Sequence, residues 1–137
     1  MKRCPELLEL SREHYSALKI ALEAKKVAQG AIPTHLADAA AAVGAAMAAE
    51  LEPHFQVEEA HLLPALAAAG CDELVTRTLA EHRQLRDAVT ALTEPTPGRL
   101  LHFADLLQAH VRFEERELFE TAQERLPASA LAALLGH

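Results

Sequence analysis

HFQVEEAHLLP at residues 54–64 and HVRFEERELFE at residues 110–120 are nearly the same phrase. Each places a His four residues before a Glu, follows that Glu with a second one, and has a Leu three residues after the second. A shorter echo, REHYSAL at 12–18 and AEHRQLR at 80–86, aligns His14 with His82. The chain therefore reads as two copies of one helical hairpin. Four residues turn an α-helix by about 400°, so His54 and Glu58 share a face roughly 6 Å apart along the axis, as do His110 and Glu114.

Proline and glycine cut the sequence into helical lengths. Pro5 starts a first helix running to about Gly30. Thr34 caps a second that ends near Gly70, with Pro53 inside it bending it just ahead of His54. Asp72 caps a third helix to about Thr93, and EPTPG at 94–98 is a turn from which Thr96 and Pro97 start a fourth, to about Arg125. A short helix follows Pro127. No stretch alternates like a strand, and Ala and Leu dominate over aromatics. Four long helices with short connections predict an all-α, up-down-up-down four-helix bundle over 1–137 as one domain.

Each helix carries an apolar stripe at spacings of three and four. The stripes read Leu7, Leu10, His14, Leu18, Ala21; then Val43, Met47, Leu51, His54, Glu58, Leu62; then Val75, Leu79, His82, Leu85, Val89, Leu92; then Leu100, Phe103, Leu107, His110, Glu114, Leu118. A His interrupts every stripe, and in two of them a Glu follows one turn on. A buried unpaired carboxylate costs several kcal/mol. Four His and two Glu at one depth therefore need a compensating partner, and a metal centre is the direct one: neutral imidazole nitrogens and bridging carboxylates. Ordinary hydrogen bonding within the core is the competing account. Imidazole and carboxylate donors suit iron, manganese or zinc rather than calcium or magnesium. In the metal-free bundle an uncompensated Glu58 or Glu114 is a liability, so its removal is expected to stabilise that form.

Composition narrows the field. With 13 basic against 20 acidic residues, a net charge of −7, nucleic acid and acidic membrane surfaces are poor partners. MKRCPELLELSREH has no apolar stretch long enough for a signal peptide, and the apolar run from Ala39 to Ala49 is too short to span a bilayer, so a soluble cytoplasmic protein is expected. Cys4 and Cys71 form no C-x-x-C. Both are expected at helix N-termini on one side of the bundle, as independent thiols or as a regulatory disulfide.

These residues resemble the hemerythrin-like, HHE cation-binding family across nearly the whole chain: a single His on helices 1 and 3, His-x-x-x-Glu on helices 2 and 4, Glu-His before each single His, and the HF…EE…LLP phrase. The resemblance implies a four-helix bundle holding two iron ions (Fe2+/Fe3+, oxo- or hydroxo-bridged) through His14, His54, Glu58, His82, His110 and Glu114, with zinc or manganese as substitutes. Oxygen carriers of the family have a second His one turn from the first on helix 3. Thr78 and Arg86 stand there in this chain. The four-His, two-Glu set is similar to di-iron proteins of iron–sulfur cluster repair and nitric oxide resistance. The resemblance implies two open irons and O2, NO or small anions as ligands, in a binding or sensing module or one that handles cellular iron; the alternative is a di-iron peroxidase, oxidase or NO reductase. A metal-free helical interaction domain is a third reading.

Other polar residues carry weaker signals. His61 shares the face of Glu58 and is a candidate extra ligand, though its counterpart in the second phrase is Glu117. Glu59 and Glu115 turn about 140° from the preceding His and are expected at the surface or behind the ligands. His102 is expected to be exposed, His35 and His137 incidental, and Tyr15 a packing residue rather than a redox one.

Overall fold

A computed structural model describes residues 2–135. His137, expected to be incidental, lies outside them. After a 3-10 turn at Pro5–Leu7, α1 runs Leu8–Ala28. α2 is one long helix in five segments: Leu36–Ala46, a π turn Met47–Leu51, Glu52–Val57, a second π turn Glu58–Leu62, and Leu63–Ala68. α3 is Asp72–Ala91. α4 joins Pro97–Phe113, a third π turn Glu114–Leu118, and Phe119–Arg125. α5 is Ala128–Leu135. The described residues contain no strand, and none of their helices is long and apolar enough to cross a membrane.

The helix ends follow local chemistry. The Thr96 hydroxyl accepts from the Arg99 N–H, and Pro97 occupies the next position, as expected. Gly30 and Gly70 sit at φ 72° and 88°. At each, two backbone bonds close the helix end: Ala31 N to Lys26 O with Gly30 N to Val27 O, and Cys71 N to Leu66 O with Gly70 N to Ala67 O. This is the Schellman closure that glycine permits. It leaves Cys71 at the head of α3, so Asp72 is the first helical residue rather than the cap. His35, not Thr34, holds the cap position of α2, and its side chain makes no cap bond.

Cross-helix pairs fix the topology. His54–Glu13 and Ser16–Glu50 join α1 to α2; His82–Glu59 and Arg86–Glu52 join α2 to α3; His110–Glu81 and Arg77–Glu117 join α3 to α4; Lys25–Asp105 and Ser11–Glu115 join α4 to α1. In every seam one number rises as the other falls. Neighbouring helices are therefore antiparallel around one axis, and the diagonal pairs run parallel.

Two apolar clusters fill the bundle. One holds Ala17, Ala21, Val43, Phe55, Leu85, Phe103 and Leu107; the other holds Leu7, Leu10, Leu62, Leu66, Leu118, Phe119 and, from α5, Leu131. Two stripe positions differ from expectation. Leu18 and Leu79 are 39% and 37% exposed, and their neighbours Ala17 and Thr78 are buried instead. Thr78 can be buried because its hydroxyl donates to Leu74 O at 2.7 Å within its own helix. Tyr15 does not pack; it is 76% exposed.

Candidate metal centre

The residues that interrupt the stripes are brought together. His14, His54, Glu58, His82, His110 and Glu114 are all buried, both Glu completely. They form two overlapping groups, His14–His54–Glu58–Glu114 and Glu58–His82–His110–Glu114, in each of which the donor atoms lie within 4.8 Å of one another. The two Glu belong to both. Glu58 presents Oε2 to His54 Nε2 at 3.2 Å and Oε1 to His82 Nε2 at 3.0 Å. Glu114 presents Oε1 to His14 Nε2 at 2.8 Å and His54 Nε2 at 3.4 Å, and Oε2 to His110 Nε2 at 3.0 Å and His82 Nε2 at 3.6 Å. Each carboxylate thus points one oxygen at each group, the disposition a bridge between two cations requires.

The donors fit a metal. Both oxygens of Glu58, Oε2 of Glu114, and Nε2 of His82 and His110 are buried without a hydrogen bond, although they face each other at about 3 Å. An unsatisfied buried polar atom costs about 1–3 kcal/mol, and here they converge. A cation between them satisfies them together. Each group can hold a metal ion.

The other ring nitrogen of every His is bonded to a second carboxylate. His14 Nδ1 lies 2.7 Å from Glu115, His54 Nδ1 2.7 Å from Glu13, His82 Nδ1 2.6 Å from Glu59, and His110 Nδ1 2.7 Å from Glu81. The pattern is cyclic: α1 serves the His of α2, α2 that of α3, α3 that of α4, and α4 that of α1. Because a carboxylate accepts, Nδ1 must donate, so Nε2 is the nitrogen left to face the centre and, once deprotonated, to offer its lone pair there. Glu59 and Glu115 therefore stand behind the inner imidazoles of His82 and His14, as their angular offset suggested. Glu13 and Glu81 take the same role. Their only sequence signal was the Glu-His dipeptide, which pairs each with the wrong His.

Three of the four outer carboxylates are backed by an arginine that also lies over a phenylalanine. Arg3 binds Glu115 and covers Phe119, which stacks on His14 at 5.2 Å. Arg77 binds Glu81 and covers Phe113, beside His110. Arg86 binds Glu59 and Glu52 and covers Phe55, which stacks on His82 at 4.1 Å. Arg86 and Thr78 are thereby committed elsewhere, and neither adds a donor to the His82–His110 group. Among the described residues, Glu13 has no such arginine. Beside it a cavity of about 140 Å³ reaches His14, His54 and His110 between α1 and α2.

Burial alone would disfavour the charged imidazoles, but the carboxylates outweigh it. For His54, Glu58 and then the bonds to Glu114 and Glu13 push the pKa up to about 12. Glu114 lifts His110 to about 10, Glu114 with Glu58 lifts His82 to about 9, and His14 is raised against its burial by Glu114 and Glu115. Glu114 is held well below the usual carboxylate range by His110, His14 and His54, although its burial alone would raise it. Without metal, the imidazoles around Glu114 favour their protonated form and can compensate it. This argues against the expectation that its removal stabilises the metal-free bundle.

Two of the π turns begin at the inner Glu residues, EEAHL and EEREL. Prolines follow the π turns of α2 closely, at Pro53 and Pro64, and remove an N–H from the regular ladder. α4 has no proline there, so the buried Glu is what those two turns share. A π turn advances fewer degrees per residue than an α turn. His61, on the face of Glu58 in a regular helix, is consequently carried to the surface and takes no part in either group. His35 and His102 are exposed as well. Cys4 and Cys71 are both free thiols at the second apolar cluster.

Comparison with known proteins agrees with this geometry. The sequence profile described as Hemerythrin HHE cation binding domain matches residues 7–122, which include all six inner residues. The uncharacterized proteins Rv2633c of Mycobacterium tuberculosis and Mb2666c of Mycobacterium bovis are each 38% identical over 79 residues, covering 53% of this chain and 47% of the relative. The chain spans about half the length of these curated relatives. No solved structure matches.

Proposed function

The chain belongs to the hemerythrin HHE cation-binding family, and from that premise we propose that it is a non-haem di-iron protein which binds or senses O2 or NO, or handles cellular iron. The observation that carries this reading is the pair of shared carboxylates, Glu58 and Glu114, each with one oxygen toward His14 and His54 or His54 alone, and one toward His82 and His110 or His82 alone. In it, His14 and His54 hold one ion, His82 and His110 the other, and both Glu are common to the two. Iron bound there supplies redox chemistry and coordination positions for a small ligand.

The chain's own residues set what reaches that centre. Glu13, Glu59, Glu81 and Glu115 fix the four ring tautomers. Phe55 stacks on His82, and the cavity reaches His14, His54 and also His110. This supports a reading in which ligands approach from the α1–α2 side.

Metal analysis with an optical spectrum of anaerobically purified protein tests the proposal. About two irons per chain are expected, with near-ultraviolet charge-transfer bands in the oxidised form. A clean preparation with no affinity for any transition metal would sink it. The cavity also has room for peroxide, so measured turnover of peroxide or NO would favour the redox-enzyme reading, and its absence the binding module.

A further inference from the structure

The ring around the centre has one gap, and its chemistry differs from the rest. At His14, His82 and His110 an arginine ties down the outer carboxylate, and at His14 and His82 a phenylalanine also stacks on the imidazole. At His54 neither occurs among the described residues; Phe55 meets it edge-on at 6.2 Å. The cavity opens there. Ala17 of α1 and Ala49 of the π turn Met47–Leu51 are too small to close the seam, and Leu51, Phe55, Leu107 and Val111 give it apolar walls. At its inner end stands His110, whose buried Nε2 has no hydrogen-bond partner. At about 140 Å³ it takes a few small molecules, each water occupying roughly 30 Å³.

The charged side chains at the outer rim are both negative. Glu13, 46% exposed, and Glu50, exposed and bonded to Ser16 across the seam at 2.5 Å, both line the cavity. No Lys or Arg lines it. A narrow opening with low-dielectric walls focuses the field of the charges at its mouth. An anion must pass two carboxylates before meeting a cationic centre. A neutral molecule meets no such barrier, and the apolar walls favour it.

We infer that the α1–α2 gap is the ligand entrance and that Glu13 and Glu50 make it selective for small neutral molecules over anions. The inference rests on the di-iron reading and adds a direction of approach and a substrate class to it. It adds an order of preference to the expectation that O2, NO or small anions are the ligands.

The test is stopped-flow binding to iron-loaded protein, with azide as the anion and NO as the neutral probe. In the wild type, the azide association rate should rise with ionic strength, because salt screens repulsion at the mouth. Glu50→Lys should raise the azide-to-NO ratio of association rates about tenfold, and Glu50→Gln should fall between. Ala49→Phe, which fills the passage, should slow both probes. Iron content is measured in each variant. An azide rate that falls with salt, a ratio that Glu50→Lys leaves in place, or an Ala49→Phe variant that binds both probes at the wild-type rate overturns the entrance. In those cases iron content and NO binding persist and the di-iron reading survives. Wild-type protein that takes up no iron removes both.

Discussion

At the scale of single residues, Glu114 is the centre of the account, because its two oxygens face all four imidazoles whereas Glu58 faces two. Glu114→Ala is expected to lose metal and lower the melting temperature of the metal-loaded protein, which forfeits its binding free energy. It is also expected to lower that of chelated protein, by less, since the imidazoles can shed their protons when their partner goes. Melts with and without chelator check this; a chelated variant more stable than the chelated wild type would restore the uncompensated-carboxylate view. The outer ring makes a separate prediction. Glu81→Ala frees His110 Nδ1 and should weaken metal binding about 10–100-fold, measured by competition with a chelator. The inner six residues were legible because a spacing of four and an apolar setting together leave a buried Glu unexplained. Glu13 and Glu81 were not. Each stands next to one His in sequence and serves another across a seam, and that pairing exists only once the helix order is known.

At the scale of elements, the punctuation read well where the chemistry is local. Thr96→Ala removes the side-chain acceptor for the Arg99 N–H and should cost about 1 kcal/mol in urea unfolding, with metal content unchanged. A change in metal stoichiometry would mean that the start of α4 also sets the site. Other elements turned on choices that sequence leaves open. From His14 the stripe can continue at position 17 or 18, and from His82 it can begin at 78 or 79. Apolarity favoured Leu18 and Leu79, while the packed helices bury Ala17 and Thr78. The π turns were illegible for a different reason. The residues of EEAHL and EEREL suit an ordinary helical turn equally well, and the wider turn shows only in the bond from Leu63 N to Glu58 O and from Phe119 N to Glu114 O.

At the scale of the whole molecule, the bundle is two apolar halves joined through a charged layer, so its stability and its metal affinity are linked through protons. The imidazole pKa values are raised in the folded, metal-free protein, to about 9 for His82 and about 10 for His110 from 6.5. The stabilisation from these protonated rings is complete below 6.5 and is lost as pH rises through the folded values, because the folded state holds the extra protons. A metal displaces those protons from Nε2, so its apparent affinity should rise over the same window. Chelated protein is expected to melt progressively earlier from pH 7 to pH 10 while loaded protein changes less; parallel curves for the two forms would show that the rings are neutral without metal. The most direct test of the central claim is anomalous diffraction at the iron edge from crystals of iron-loaded protein. The account predicts two peaks inside the bundle, one within bonding reach of His14 and His54 and one of His82 and His110, with Glu58 and Glu114 reaching both. A single peak, or iron bound outside these six residues, would contradict it.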